Sequence, residues 1–82
     1  GGSLYAGEIS VYANNRTGLL VDISKIFTER EIDIKTMNSR VNKQGKATIT
    51  MSFDIHGIEE LNNLMAKLRQ IDGVLDIERT TG

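Results

Sequence analysis

Apolar and polar residues alternate from Gly7 to Asn14. Ile9, Val11 and Ala13 fall on one face and Glu8, Ser10 and Tyr12 on the other, the period of a half-buried strand. After the polar turn Asn14, Asn15, Arg16, Thr17, Gly18 the period lengthens. Leu19, Leu20, Ile23, Ile26 and Phe27 recur at helical spacing, with Asp22, Lys25, Glu29 and Arg30 opposite, which predicts a helix capped by Asn15 or Thr17. Ile32 to Val41 reads as a second strand whose parity changes, since Ile32 and Ile34 share one face while Met37 and Val41 share the other. A bulge near Lys35 or Thr36 would reconcile the two halves. Asn42, Lys43, Gln44 and Gly45 make a hairpin loop. The third strand alternates most cleanly: Ala47, Ile49, Met51, Phe53 and Ile55 face in, and Thr48, Thr50, Ser52 and Asp54 face out. Ile58, Leu61, Leu64, Met65, Leu68 and Ile71 trace a second amphipathic helix, with Glu59 and Glu60 at its positive end and Gly73 as its stop. Val74 to Arg79 closes the chain as a fourth strand.

The order βαββαβ, with each helix apolar along one stripe, is that of the α+β ferredoxin-like fold: a four-stranded antiparallel sheet with two helices on one face. The pattern draws the domain at residues 7–80 and leaves residues 1–6, opening on Gly1, Gly2 and Ser3, as linker. At 82 residues there is one domain, and one this small hides little more than ~60% of its unfolded surface, so association with a second copy would help it.

The chain has no cysteine, which removes disulfides, thiolate metal sites and thiol catalysis. No apolar stretch approaches the ~20 residues that cross a bilayer, and no signal segment opens the chain. The expectation is a cytoplasmic protein without a membrane partner. Ten Lys and Arg against eleven Asp and Glu, interspersed, give a net charge of -1 and no basic field for nucleic acid. His56 is the only histidine and reads as a helix-start residue rather than a metal ligand, so neither metal nor cofactor is expected. No imidazole or thiolate stands ready to activate Ser10, Ser24, Ser39 or Ser52. RNA stacking on the open sheet face would rest on Tyr12 alone. An acylphosphatase-like enzyme would use Arg16 in the first loop and Asn38 on the second strand, but Gly18 alone is a poor phosphate cradle.

The turn from Asn14 to Leu20 remains. It is polar, holds a glycine and leads into a helix N-terminus, whose orphan N–H groups and positive dipole end suit a carboxylate. The plainer reading is that Gly18 lets the first helical turn pack closely and the asparagines cap it.

Asn15, Arg16, Thr17, Gly18, Leu19, Leu20, with Asp22 and Ile23, resembles the D-R-x-G-L-L-x-D-I signature that opens the first helix of ACT domains. Asn15 stands in place of the usual Asp, and Thr17 where Pro is common. Glu31, Ile32, Asp33, Ile34 is similar to the start of that family's second strand. The run from Leu68 to Val74 resembles its exit from the second helix. Met37, Asn38 and that exit are most similar to the C-terminal ACT domain of the RelA/SpoT-type GTP pyrophosphokinases, the stringent-response enzymes of (p)ppGpp metabolism.

The resemblance implies a non-catalytic regulatory domain that pairs with a second copy, often side by side into one eight-stranded sheet, and takes an amino acid at the seam. Its ligand positions carry over to Asn14, Asn15, Arg16, Thr17, Gly18, Leu19 and Leu20, and to Thr36, Met37 and Asn38. The implied partners are a second copy, the catalytic domains of the parent chain and, through the parent, the ribosome. The loss of the family's Asp at Asn15 removes a charge that could meet an ammonium group. The runner-up is the ACT domain of an amino-acid biosynthetic enzyme, of the phosphoglycerate dehydrogenase or acetolactate synthase small subunit type.

Overall fold

A computed structural model describes residues 3–80. The elements follow the expected order: β1 (Tyr5–Asn14), α1 (Leu19–Glu29), β2 (Ile34–Val41), β3 (Lys46–Ile55), α2 (Ile58–Arg69) and β4 (Val74–Arg79). They build one antiparallel sheet in the order β2-β3-β1-β4, so the two strands richest in alternating aliphatics are central and β2 and β4 are the edges.

The core lies between this sheet and the helices. Ile9, Val11 and Ala13 from β1, Ala47, Ile49, Met51, Phe53 and Ile55 from β3, and Ile77 from β4 meet Leu19, Ile23 and Phe27 of α1 and Leu61, Leu64 and Leu68 of α2. Phe27 and Phe53 pack edge to face, with ring centroids 5.3 Å apart. Gly7 pairs with Phe53 and is buried under it: a Cβ there would lie 2.8 Å from Cε2 of that ring. β1 reaches back to Tyr5, two residues before the alternation from Gly7 suggests.

The opposite face of the sheet is open and polar. Ser10 and Thr50 share a hydrogen bond of 3.2 Å across β1 and β3, and Lys46 Nζ donates to Asn14 Oδ1 at 2.6 Å. Tyr12 lies on this face between Thr48 and Asp76.

The parity change in β2 is a bulge. Ile34 pairs with Phe53 but Thr36 with Ser52, leaving Lys35 as the extra residue, and its ammonium lies 3.6 Å from the Asp54 carboxylate. The bulge puts Met37, Ser39 and Val41 on the helix side of the sheet, opposite Met51, Ile49 and Ala47.

The helix ends differ in part from expectation. Neither Asn15 nor Thr17 caps α1: Gly18, in the left-handed region at φ 82°, is the N-cap, and no side chain caps the N–H groups of the first turn. α1 closes in a Schellman motif, in which the N–H of Ile32 donates to Phe27 O and that of Glu31 to Thr28 O. This accounts for the positive φ of Glu31, 56°, and returns Ile32 to the core before β2 begins. α2 stops at Arg69, and Gly73 lies further on, in the turn to β4, with φ 96°. Among the described residues, no helix is long and apolar enough to cross a membrane.

Candidate functional site

The β1–α1 loop is fastened on both flanks by its backbone. The Asn14 N–H donates to Gly73 O at 2.8 Å, toward the α2–β4 turn, and the Asn15 N–H donates to Gly45 O at 2.8 Å, toward the β2–β3 hairpin. The loop then passes through Arg16 and Thr17 to Gly18, whose left-handed backbone starts α1. Gly18 O accepts the first helical bond, from Asp22 N–H. The N–H groups of Arg16, Thr17, Gly18, Leu20 and Val21 donate to no backbone carbonyl among the described residues. Four of these five residues line a groove of about 270 Å³ between the start of α1 and β2, together with Asn15, Leu19, Ser39 and Val41.

The groove brings together Asn15, Arg16, Gly18, Leu19 and Leu20 of the expected ligand positions. Asn14 stands on the open face with its carboxamide on Lys46, and Thr17 is exposed beside the groove. Thr36 and Asn38 pair with Ser52 and Thr50, which turns them to the open face, and Thr36 shares a hydroxyl hydrogen bond of 2.5 Å with Ser52. Met37 is on the helix side but outside the groove lining, where β2 contributes Ser39 and Val41. The bulge sets this choice, and the sequence signalled the bulge, so continuing the strand's alternation past it identifies Ser39 and Val41.

Arg16 is already engaged. Its Nε donates to Asp72 O at 2.9 Å, Nη1 to Thr17 O at 3.1 Å, and Nη2 to Asp22 Oδ2 at 2.7 Å. The side chain that an acylphosphatase-like site would need free is held by three hydrogen bonds of the fold, and Asn38 lies on the other face of the sheet. His56 is a helix-start residue: its N–H donates to Glu60 Oε1 at 2.9 Å, and its Nδ1 lies 3.3 Å from Glu60 Oε2. This His56 N–H is the first cause holding the Glu60 carboxyl below its ordinary pKa. Among the described residues, no three His, Cys, Asp or Glu side chains cluster as metal ligands would.

A roomier cleft, about 390 Å³, lies at the opposite end of the sheet, where Tyr5, Gly7, Ile55, Ile58, Leu61 and Arg79 meet. It contains none of the motif residues. Sequence reasoning missed it because it forms where the sheet overhangs the start of α2, a tertiary offset that no local pattern records.

The sequence and the fold of the chain match known proteins. The family model for the ACT domain covers residues 1–79. The chain is 35% identical over 79 residues to a GTP pyrophosphokinase of Escherichia coli (strain K12), and 33% identical over 73 residues to one of Haemophilus influenzae. These alignments take in 95% and 88% of this chain but 11% and 10% of the relatives, so the chain spans about a tenth of their length. The crystal structure of the ACT domain from the GTP pyrophosphokinase of Chlorobium tepidum has the same fold: the TM-score is 0.83 at 23% identity, covering 95% of this chain and all of that one. The chain belongs to the ACT domain family, and its sequence similarity runs to the RelA/SpoT-type GTP pyrophosphokinases.

Proposed function

We propose that this chain is the regulatory ACT domain of a RelA/SpoT-type GTP pyrophosphokinase, that it pairs with a second copy along β2, and that an amino acid bound in the groove biases that pairing. The observation that carries the reading is the groove itself, with N–H groups that lack backbone acceptors on one wall and an edge strand as the other. Such N–H groups at a helix start suit a carboxylate, and Leu19, Leu20, Val21 and Val41 suit an apolar side chain.

At about 270 Å³ the groove is slightly smaller than a usual ligand site, ~300 Å³ or more, and a second copy laid along β2 would supply the missing wall. The edge favours such a neighbour. Val21 and Val41 are 62% and 51% exposed beside it, with Leu20 and Met37 also exposed, and the outer backbone of β2 is unpaired. Asn15, where the family carries Asp, leaves the ammonium group to other acceptors. A ligand shared by two chains shifts their association only by its differential affinity for the paired state. In the parent protein this pairing would relay amino-acid supply to the catalytic domains.

Sedimentation equilibrium across a dilution series, with and without each amino acid, tests the proposal. A dimer that one amino acid tightens supports both halves. A dimer indifferent to all of them removes the sensor, and a strict monomer removes the seam.

A further inference from the structure

Arg16 faces two ways. On one side it lines the groove against β2, and on the other it lines a cleft of about 290 Å³ between α1 and the α2–β4 turn, with Asp22, Lys25, Ile26, Glu29, Ile71 and Asp72. It is the one residue common to both linings. Its guanidinium joins the two sides, because Nη2 holds Asp22 in the first turn of α1 while Nε holds the Asp72 carbonyl in the α2–β4 turn. The turn it grips has no slack. Gly73 sits at φ 96°, a Cβ on it would lie 3.0 Å from Asn14 O, and Gly73 O accepts the Asn14 N–H at 2.8 Å. The loop and the turn are therefore bonded twice, once through backbone and once through the Arg16 fork. A planar fork that spans two acceptors transmits direction as well as distance, which a lysine at the same place would not.

We infer that Arg16 is a positioning residue, a clasp that couples occupancy of the groove on the β2 side to the conformation of the α2–β4 turn on the far side of β1. This deepens the proposed function and rests on the groove being its site. Each of its three nitrogens already donates once, which fixes the plane of the fork, and two of its five N–H groups remain. Anything that reorients the loop must carry Asp72 with it or break the fork, and by linkage a partner that holds the turn alters the groove in return.

Two readings from amide spectra of the 82-residue chain and its variants test the clasp. Without ligand, Arg16→Ala is expected to raise amide exchange at Asn14 by at least ~10-fold while Val11, in the β1–β3 ladder, stays protected. Arg16→Lys should recover little of that loss. With an equimolar mixture of the protein amino acids as probe, wild-type protein should show shifts at Leu20 and Val21 accompanied by shifts at Gly73 and Val74. In Arg16→Ala the first pair should persist and the second vanish. Unchanged exchange at Asn14 overturns the clasp, as do shifts at Gly73 and Val74 that survive in Arg16→Ala. If the mixture moves neither Leu20 nor Val21 in wild-type protein, the ligand reading of the groove fails, and the exchange comparison still decides the clasp.

Discussion

Gly7 shows how much one absent methyl group decides. It lies in a central strand, where glycine costs backbone entropy and packs nothing, yet the Phe53 ring occupies the place its side chain would take. Phe53 is itself buried and packed edge to face against the buried Phe27, which opposes its moving aside. Gly7→Ala is expected to destabilise the domain by about 1–3 kcal/mol through overpacking, read as a lower urea midpoint at unchanged slope. A cost below about 0.5 kcal/mol would mean that the two rings rearrange freely. Gly7 also explains why the start of β1 was hidden. It interrupts the apolar row Tyr5, Gly7, Ile9, and the cause is a contact with a residue on another strand, which no window along the chain contains. Arg16 is a similar case. Its charge, its place before a glycine and its motif are legible, but that it would be consumed by Asp72 O, Thr17 O and Asp22 is visible only once α2 and β4 are placed.

Among the elements, α2 carries a pH dependence in a bond from its first turn to the residue before its cap. Glu60, in the first turn, accepts the His56 N–H, so a donor outside the helix is satisfied by a carboxylate inside it. The bond favours the charged form, and the folded pKa is accordingly lower than the unfolded one. The resulting stability is complete above the unfolded value and is lost as pH falls through the folded one. Glu60→Gln is expected to cost less than about 1 kcal/mol near neutral pH, because the amide oxygen can still accept, and to flatten the stability change between about pH 7 and about pH 3. Urea midpoints of both proteins at the two pH values check this, and parallel profiles would assign the acid sensitivity to other carboxylates. The bulge in β2 was legible because a parity change is a phase error that only an inserted residue corrects, and Lys35 is that residue. The cap of α1 was misread for the opposite reason. Asn15 and Thr17 are good capping types, but the Asn15 backbone is drawn to Gly45 O, and the left-handed Gly18 turns the chain into the helix without them.

For the whole molecule, the two edges of the sheet are unequal. β2 is exposed on its helix side and borders the groove, whereas β4 is short and irregular against β1, with a register shift between Tyr12 and Ala13. Val41→Glu should therefore weaken self-association by at least ~10-fold in sedimentation equilibrium, by placing a charge in an apolar seam. Leu75→Glu, at an exposed apolar position on β4, should leave it unchanged. The reverse pattern would move the seam to β4. The polar open face, from Thr36 and Asn38 through Thr48 and Thr50 to Tyr12, keeps the second side of the sheet in contact with solvent, while Ser10 on the same face is buried.

The pairing of β1 with β4 has a mechanical consequence. The first and last strands are antiparallel neighbours: Ile9 lies beside Arg79 and Glu8 O accepts the Thr80 N–H, so the described chain enters and leaves the domain at one end. Tension drawn between those two ends does not shear the ladder. It peels the ladder one bond at a time, starting from Thr80 and Glu8 and reaching Asn14 and Gly73 last. The end that holds the groove is thus the last to feel such a pull. A domain pulled in this way can yield at its ends while its loop stays set.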